Sequence, residues 1–219
     1  MAVNCGVSLG LCRMRVTRVD GNGNVISGTN AYVTDNQLSV TVNPNIEAGN
    51  NIAVRNGCGC KISSFKFPDT FNWWEFDFTD TALEPIMIGF MLGATQIKNG
   101  AVDVVGIQFP DTLSCDAAEP AVALEFWTKH GVQSGQDSTY PWIHWVFPLT
   151  IWQFGNNTFG DAAATPVLTG FSRANQNWGH GPYGDGPPDG GAIPNGGFWK
   201  TAVAPPASGC VAVSVSSVS

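Results

Sequence analysis

Apolar and polar residues alternate along most of this chain, and the alternation predicts β-strands. A period of two puts successive side chains on opposite faces of a strand, so that one face packs on a core and the other meets water. The pattern predicts strands at 13–20, 30–35, 37–42, 51–56, 61–67, 71–78, 102–109, 121–128, 142–153 and 165–173. In the strand at 71–78, Trp74, Phe76 and Phe78 share the face that we expect on the core. The sequence therefore predicts a mainly β fold.

One segment departs from this alternation and predicts an α-helix at about 81–94. Thr81 and Glu84 have the spacing of a capping box, which satisfies two backbone N–H groups at a helix N-terminus. Gly93 is the expected C-terminal stop, because glycine tolerates the left-handed conformation found there. The helix face that we expect to pack on the sheet contains Leu83, Ile86, Met87, Phe90 and Met91.

Residues 179–197 contain eight glycines and four prolines in nineteen residues. Such a composition excludes a helix or an interior strand and predicts a long Gly/Pro-rich arm. Aromatic rings at Trp178, Tyr183, Phe198 and Trp199 would be costly to leave in water, so we expect the arm to lie against the chain's own core or another subunit. We assign 1–177 to a β domain with a flanking helix, and 178–219 to the arm and C-terminal tail of the same domain.

Composition is equally compatible with two kinds of surface, one of which is largely covered by other protein. Charged residues make up 12% of the chain, beside eight Trp and thirteen Phe. The alternative is a large core with a Ser, Thr and Asn surface. Residues 1–66 hold six bases and three acids (+3), and the remainder holds four bases and fourteen acids (−10), which gives the net charge of −7. This acidic balance argues against tight binding of nucleic acid, yet it allows DNA to pass nearby without adhering.

The N-terminal residues MAVNCGVSLGLCRMR do not resemble a signal peptide, because polar and basic residues come too early. The longest apolar run, from Ile86 to Ala94, is too short to span a bilayer. We therefore expect no membrane partner and assembly in a reducing cytoplasm.

The six cysteines are then most simply buried thiols. Two alternatives remain open. One is a disulfide that joins Cys5 or Cys12 to Cys58 or Cys60. The other is a metal ion held by these same four cysteines, although their spacing does not match paired CxxC knuckles.

Short matches to catalytic motifs lack the structure that their chemistry needs. Residues 6–10 fit the GxSxG nucleophile elbow, but only five residues precede them, too few for the strand that holds that turn. Residues 179–184 fit the dinucleotide pattern GxGxxG, yet nearby prolines exclude the helix that the motif opens. Residues 20–24 begin like a calcium loop but lack its later glycine and glutamate. His144 lies among tryptophans, where we expect a packed, hydrogen-bonded side chain. We predict neither an enzyme nor a cofactor.

The order of several segments resembles a known family. LCRMRVTRVDGNGNVISGTNAYVTDN is followed by GCGCK and FNWWEFDFTDTALEPIMIGFMLGA, and then by WIHWVFPLTIWQFGNNTF, TGFSRANQNWGHGPYGDGPP and a late Pro-Pro. Together they resemble the major tail protein, the tail-tube subunit, of long-tailed siphophages, especially phages of actinobacteria. The resemblance spans nearly the whole chain and rests on a pattern of segments rather than on an active-site signature.

The resemblance implies a tail-tube-type β-sandwich or barrel with one flanking helix. Subunits of that family form hexameric rings, which stack through arms and loops into a tube that conducts double-stranded DNA into the host. The implied partners are other copies of the chain and further tail proteins, namely the tape measure, tail terminator and distal tail proteins. DNA would pass through without specific binding. The implied location is the virion tail, after assembly in the host cytoplasm.

The functional site of such a protein is an interface between subunits or rings. We expect it in the 43–60 loop and in the Gly/Pro-rich arm, at Asn43, Pro44, Asn50, Asn51, Trp178, Tyr183, Phe198 and Trp199. Two alternative functions come from other classes. A carbohydrate-binding β-sandwich would stack its tryptophans on sugars, and a capsid decoration protein would form trimers on heads rather than tubes.

Overall fold

Antiparallel β-strands dominate the computed structural model, which describes residues 7–80, 84–100, 103–109, 119–132, 135–157 and 166–213. The first strands are β1 (Val7–Val19), β2 (Gly28–Thr34), β3 (Gln37–Glu47), β4 (Asn51–Arg55), β5 (Lys61–Lys66) and β6 (Thr70–Asp80). Helix α1 (Pro85–Leu92) follows, and then β7 (Thr95–Asn99) and β8 (Asp103–Gln108). The remaining strands are β9 (Ala121–Val132), β10 (Gly135–Gln136), β11 (Trp142–Phe154), β12 (Val167–Ser172), β13 (Gly197–Thr201) and β14 (Gly209–Val213). The mainly β prediction is confirmed.

Ten strands form one antiparallel sheet in the order β14-β2-β1-β9-β11-β12-β6-β3, with β10 beside β9 and β13 beside β11. β11 changes partners along its length, because residues 142–146 pair with β13 and residues 150–154 with β12. Pro148 lies between these stretches, where its missing N–H donor interrupts no pairing. Among the described residues, β14 and β3 are the two edges of the sheet.

The sheet curls around a single main core. Met14 and Val16 of β1 share that core with Phe76 and Phe78 of β6 and with α1. Strands that are far apart in the sheet order thus pack on the same cluster, so the two ends of the sheet approach each other across it. Trp74 is half-buried beside this core, and the predicted core face of β6 is confirmed.

The helix is shorter and more deeply buried than predicted. It starts after Glu84, whose backbone is extended and whose side chain makes no capping bond. The predicted capping box is therefore wrong at Glu84, while its partner Thr81 lies outside the described residues. Gly93 ends the helix in the left-handed conformation (φ 64°), as predicted. Every residue from Met87 to Leu92 is buried, because the β7–β8 ribbon packs on the side that the sheet leaves open. No described helix is long and apolar enough to cross a membrane.

Candidate assembly interface

A β-hairpin projects from the sheet between β3 and β6. Glu47 of β3 pairs with Thr70 of β6, and beyond this pair β4 and β5 form a separate two-stranded ribbon. At its root, the Phe67 N–H donates to the Asn50 carbonyl at 2.9 Å. Every residue of β4 and β5 is exposed. We refer to residues 48–69 as the hairpin.

The structure places four predicted interface residues at the root of this hairpin. Asn43 and Pro44 lie within β3, Asn50 precedes β4, and Asn51 begins it. The predicted 43–60 loop is therefore wrong, since this stretch is the end of β3 followed by most of a ribbon. The predicted strand ended before Pro44, because proline lacks an N–H donor. β3 is an edge strand, however, where a residue without that donor is tolerated.

One face of the hairpin is apolar and uncovered. Ile52 pairs with Phe65 across the ribbon, and alternation places Val54 and Phe67 on the same side. These four side chains are between 46% and 60% exposed. Phe65 and Phe67 contact edge to face, with ring centroids 5.0 Å apart. Because a two-stranded ribbon is at best marginally stable in water, this uncovered apolar face is a candidate interaction surface.

The tip of the hairpin is positively charged. Residues 48–69 contain three bases and a single acid, Asp69. Lys66 pairs with Asp69 at 2.8 Å, close to the root. Among the described residues, no salt bridge neutralises Arg55 or Lys61 at the tip. The hairpin therefore combines an apolar face with a cationic end.

Two cysteines lie in the turn at this tip. The side-chain oxygen of Asn56 accepts hydrogen bonds from the backbone N–H groups of Cys58 and Cys60, at 3.1 and 2.9 Å. Both cysteines are exposed free thiols, and Cys210 is a third. The prediction of buried thiols is therefore wrong for these three.

The alternative cysteine arrangements find no support in the described residues. Cys12 is a half-buried free thiol in β1, and neither Cys58 nor Cys60 is disulfide-bonded to it. No metal-type cluster of the described residues includes any of them. Cys5 lies outside the described residues.

The Gly/Pro-rich arm begins against the chain's own sheet. Trp178 is 1% exposed and packs with Val19, Ala123 and Val146 in a second core on the outer face of β1, β9 and β11. The hydroxyl of Tyr183 also forms a hydrogen bond with the hydroxyl of Thr17 in β1. In the protomer, the contacts of Trp178 and Tyr183 are thus intramolecular.

The end of the Gly/Pro-rich arm forms β13, which the sequence analysis did not predict. Phe198 and Trp199 lie in this strand and pair with β11. Phe198 is 63% exposed and stacks on Trp145 at 4.4 Å between centroids. Trp199 is half-buried, and its ring meets His144 edge to face at 4.7 Å. Phe198 is therefore the predicted interface residue of this arm that is most available to another subunit.

A buried cluster of charged side chains, also not predicted, ties the arm to the sheet. Arg15 of β1 donates to both carboxylate oxygens of Glu125 on β9, at 2.6 and 2.7 Å. It also donates to Asp185 of the arm at 2.9 Å. The guanidinium lies 3.5 Å from the ring centroid of Tyr183 and 5.1 Å from that of Trp127. Arg15 thus joins two strands and the arm at one point.

Mutual attraction keeps these groups charged despite their burial. Burial by itself would raise the pKa of Glu125, but the Arg15 charge and the hydrogen bonds of its neighbours outweigh that effect and lower it to about 2. Burial likewise opposes the charge of Arg15, yet Glu125 and Asp185 raise its pKa. Burial and the charge of Glu125 raise the pKa of Tyr183 to about 12. At neutral pH, Arg15 and Glu125 are therefore ionised and Tyr183 is neutral.

His144 completes the cluster. Its ring stacks on Trp127 at 4.2 Å, as the prediction of a packed side chain requires. Its Nε2 lies 3.3 Å from a carboxylate oxygen of Glu125, and this contact helps to lower the pKa of Glu125. Nδ1 has no hydrogen-bond partner within the described part of the chain.

Glu125, His144 and Asp185 have the spacing of a metal site. Arg15, however, already bonds to the carboxylates of both Glu125 and Asp185, so a cation would have to displace the guanidinium. Full burial of Glu125 and His144 also closes the cluster to a substrate. We assign this cluster to stability, and the exposed hairpin to function.

Comparison with known proteins supplies no relative: no family model matches the chain, and no curated protein matches it.

Proposed function

We propose that this protein is a self-assembling structural subunit of a phage tail tube. The uncovered apolar face of the hairpin carries the proposal, because Ile52, Val54, Phe65 and Phe67 would be stabilised by a partner. A second copy of the chain is the proposed partner. The segment pattern that resembles siphophage tail-tube subunits supports the same function.

The edges of the curled sheet support the proposal of rings. β14 and β3 each leave one side unpaired among the described residues. Exposed edges invite pairing, and a closed ring of subunits removes them. We propose that each copy presents its β14 edge near the β3 edge of the next, in a ring that is hexameric as in the resembled family. Stacking of rings is then the role of the hairpins.

The charge of the chain suits a conduit for DNA. A net charge of −7 disfavours adhesion of a polyanion and so allows double-stranded DNA to pass without specific binding. The proposed location is the virion tail, where the tape measure, tail terminator and distal tail proteins would be its other partners. No catalytic role is proposed.

Negative-stain electron microscopy of purified protein over a range of concentrations tests this function. We expect six-fold rings at low concentration and uniform hollow tubes at high concentration. Trimers that bind phage heads would favour the decoration protein instead. Discrete particles that bind a glycan array would favour the carbohydrate-binding β-sandwich.

A further inference from the structure

The outer face of β6 carries a surface that complements the hairpin. Glu75 and Asp77 are exposed there, beside Trp73, which is 40% exposed. The Trp73 ring lies 6.3 Å from that of Phe171 on the neighbouring strand β12. No salt bridge of the described residues neutralises either carboxylate. We refer to Trp73, Glu75, Asp77 and Phe171 as the β6 face.

The side chains of the β6 face are held in place. Glu75 accepts hydrogen bonds from the Asn45 side chain at 2.7 Å and from the Trp73 indole at 3.3 Å. Asn45 in turn accepts one from Asn72 at 3.0 Å. A carboxylate that is already oriented loses less conformational entropy when it binds a cation, which favours its use in recognition.

The hairpin and the β6 face match in charge and in polarity. The hairpin offers two unneutralised cations, Arg55 and Lys61, next to an apolar face. The β6 face offers two unneutralised carboxylates next to aromatic rings. Opposite charges set the register of an interface and speed its formation, while apolar contact supplies most of the affinity.

The hairpin does not cover the β6 face of its own chain. It leaves the sheet beyond the pair formed by Glu47 and Thr70, whereas Glu75 and Asp77 lie back towards the body of the sheet. Every residue of β4 and β5 is exposed, and so are both carboxylates. In the protomer both surfaces are therefore free to meet another copy.

We infer that the hairpin of one copy docks on the β6 face of a second copy, with Arg55 and Lys61 against Glu75 and Asp77. The inference rests on the proposed self-assembly and names the surface that receives the hairpin. The docking proposed here runs in one direction, with the hairpin of each copy on the face of the next, so the contact is heterologous. Repetition of such a contact closes a ring or extends a filament, whereas reciprocal docking of two copies would be isologous and would stop at a dimer.

A reciprocal charge swap in the full-length chain tests this docking. One variant carries Arg55→Glu and Lys61→Glu, and the other carries Glu75→Lys and Asp77→Lys. In each variant alone, the hairpin and the face have the same sign of charge. We expect each to need at least about tenfold more protein to assemble than wild type, because like charges are juxtaposed. In a one-to-one mixture each hairpin meets a face of opposite charge, and we expect assembly to return towards the wild-type concentration in sedimentation velocity runs.

A control variant with Asp103→Lys and Asp189→Lys makes the same change in net charge as the Glu75→Lys and Asp77→Lys variant, but at exposed sites outside the hairpin and the β6 face. We expect it to assemble like wild type, with circular dichroism reporting the fold of every variant. If a double variant does not fold, the single pair Lys61→Glu and Asp77→Lys replaces it.

The outcomes separate the two proposals. If either swapped variant assembles alone like wild type, or if the mixture stays inert while wild type assembles, the docking is overturned and self-assembly stands. If wild type and mixture both remain monomeric at every concentration, self-assembly fails and the docking fails with it.

Discussion

At the scale of residues, the folded state depends on how Arg15 is surrounded. A buried guanidinium is tolerated only when its donors and its charge are satisfied, and here Glu125 and Asp185 accept its hydrogen bonds. The rings of Tyr183 and Trp127 lie against the guanidinium. Asp185 and Tyr183 come from the Gly/Pro-rich arm, so the same contacts that satisfy the charge also hold that arm in place.

Removal of a carboxylate that pairs with Arg15 should destabilise the folded state. We expect Glu125→Gln to lower the free energy of unfolding by about 3 kcal/mol, because it removes the bidentate partner of the buried Arg15 charge and leaves Asp185 to compensate it. Glu119→Gln is the matched control, since Glu119 pairs with Arg173 at 3.2 Å on the surface. That change should cost less than about 1 kcal/mol. Urea denaturation measures both, and equal losses would contradict a structural role for the cluster.

The same carboxylate predicts a pH dependence of stability. The pKa of Glu125 falls from 4.5 in the unfolded chain to about 2 in the fold. A lowered pKa means that the fold favours the ionised form, so this contribution is fully present above pH 4.5 and is lost as the pH falls towards 2. Between these values the wild-type protein should lose more stability than Glu125→Gln, which cannot titrate there. Parallel stability curves in acid would refute the assignment.

At the scale of elements, the hairpin is a ribbon that the rest of the chain leaves uncovered. Its two strands contact each other but belong to no larger sheet. All of their residues are exposed. The long strands at the centre of the main sheet, in contrast, bury residues on at least one face, as β9 does along nearly its whole length. The hairpin therefore adds little to the stability of the monomer and is available for association.

Phe65→Ser should weaken self-association by about 2 kcal/mol if Phe65 is a central contact. The monomer should keep its stability, because Phe65 is 60% exposed. Phe109→Ser is the control, since Phe109 is 62% exposed but lies after β8 rather than in the hairpin. Sedimentation velocity compares the two variants. An equal effect of both would mean that association depends on exposed apolar area in general and not on the hairpin.

Phe198 and Trp199, which are neighbours in β13, should differ in how much they stabilise the fold. Trp199→Ala should destabilise the fold by about 2 kcal/mol, because the ring packs on buried His144. Phe198→Ala should cost less than about 1 kcal/mol of stability, since its side chain is mostly exposed. We expect Phe198→Ala to reduce polymer formation, which light scattering follows. Polymerisation of this variant at the wild-type rate would remove Phe198 from the interface.

At the scale of the whole molecule, the chain combines a well-packed curled sheet with an uncovered hairpin and unpaired sheet edges. The body has two cores, one around α1 and one beneath the Gly/Pro-rich arm. The hairpin lies outside both cores, and the edge strands β14 and β3 leave one side of their backbone unpaired among the described residues. This division is what a subunit needs if it is to fold alone and then assemble.

Limited proteolysis should distinguish the exposed hairpin from the packed body of the sheet. Trypsin should cut the free subunit after Arg55 and Lys61, which lie in the exposed hairpin, while Arg15 is protected by burial. Assembly should abolish cleavage at both hairpin sites, because a partner then covers them. Mass spectrometry of the fragments identifies each site. Continued cleavage of the hairpin within tubes would place it outside the interface.

Local patterns in the sequence determined the strands, since a period of two records which face of a strand is buried. Each of the ten predicted strands has a counterpart, and Gly93 ends the helix where expected. β13 could not be predicted, because it follows a glycine- and proline-rich stretch and its strand conformation depends on pairing with β11. The full extent of β3 was missed because Pro44 is tolerated only at an edge, and the sequence does not state which strands are edges.

Long-range packing alone decided which of these residues are buried within the chain and which are exposed. Glu125 is an acid within an apolar run, which indicates a buried partner, but that partner lies 110 residues away. Long-range packing also buries Trp178 in the second core and places Tyr183 against Arg15, although an aromatic-rich arm fits an external contact equally well on sequence. Alternation in the hairpin showed that it has an apolar face. Only the tertiary structure decides that nothing in the described chain covers that face, because coverage depends on where distant strands lie.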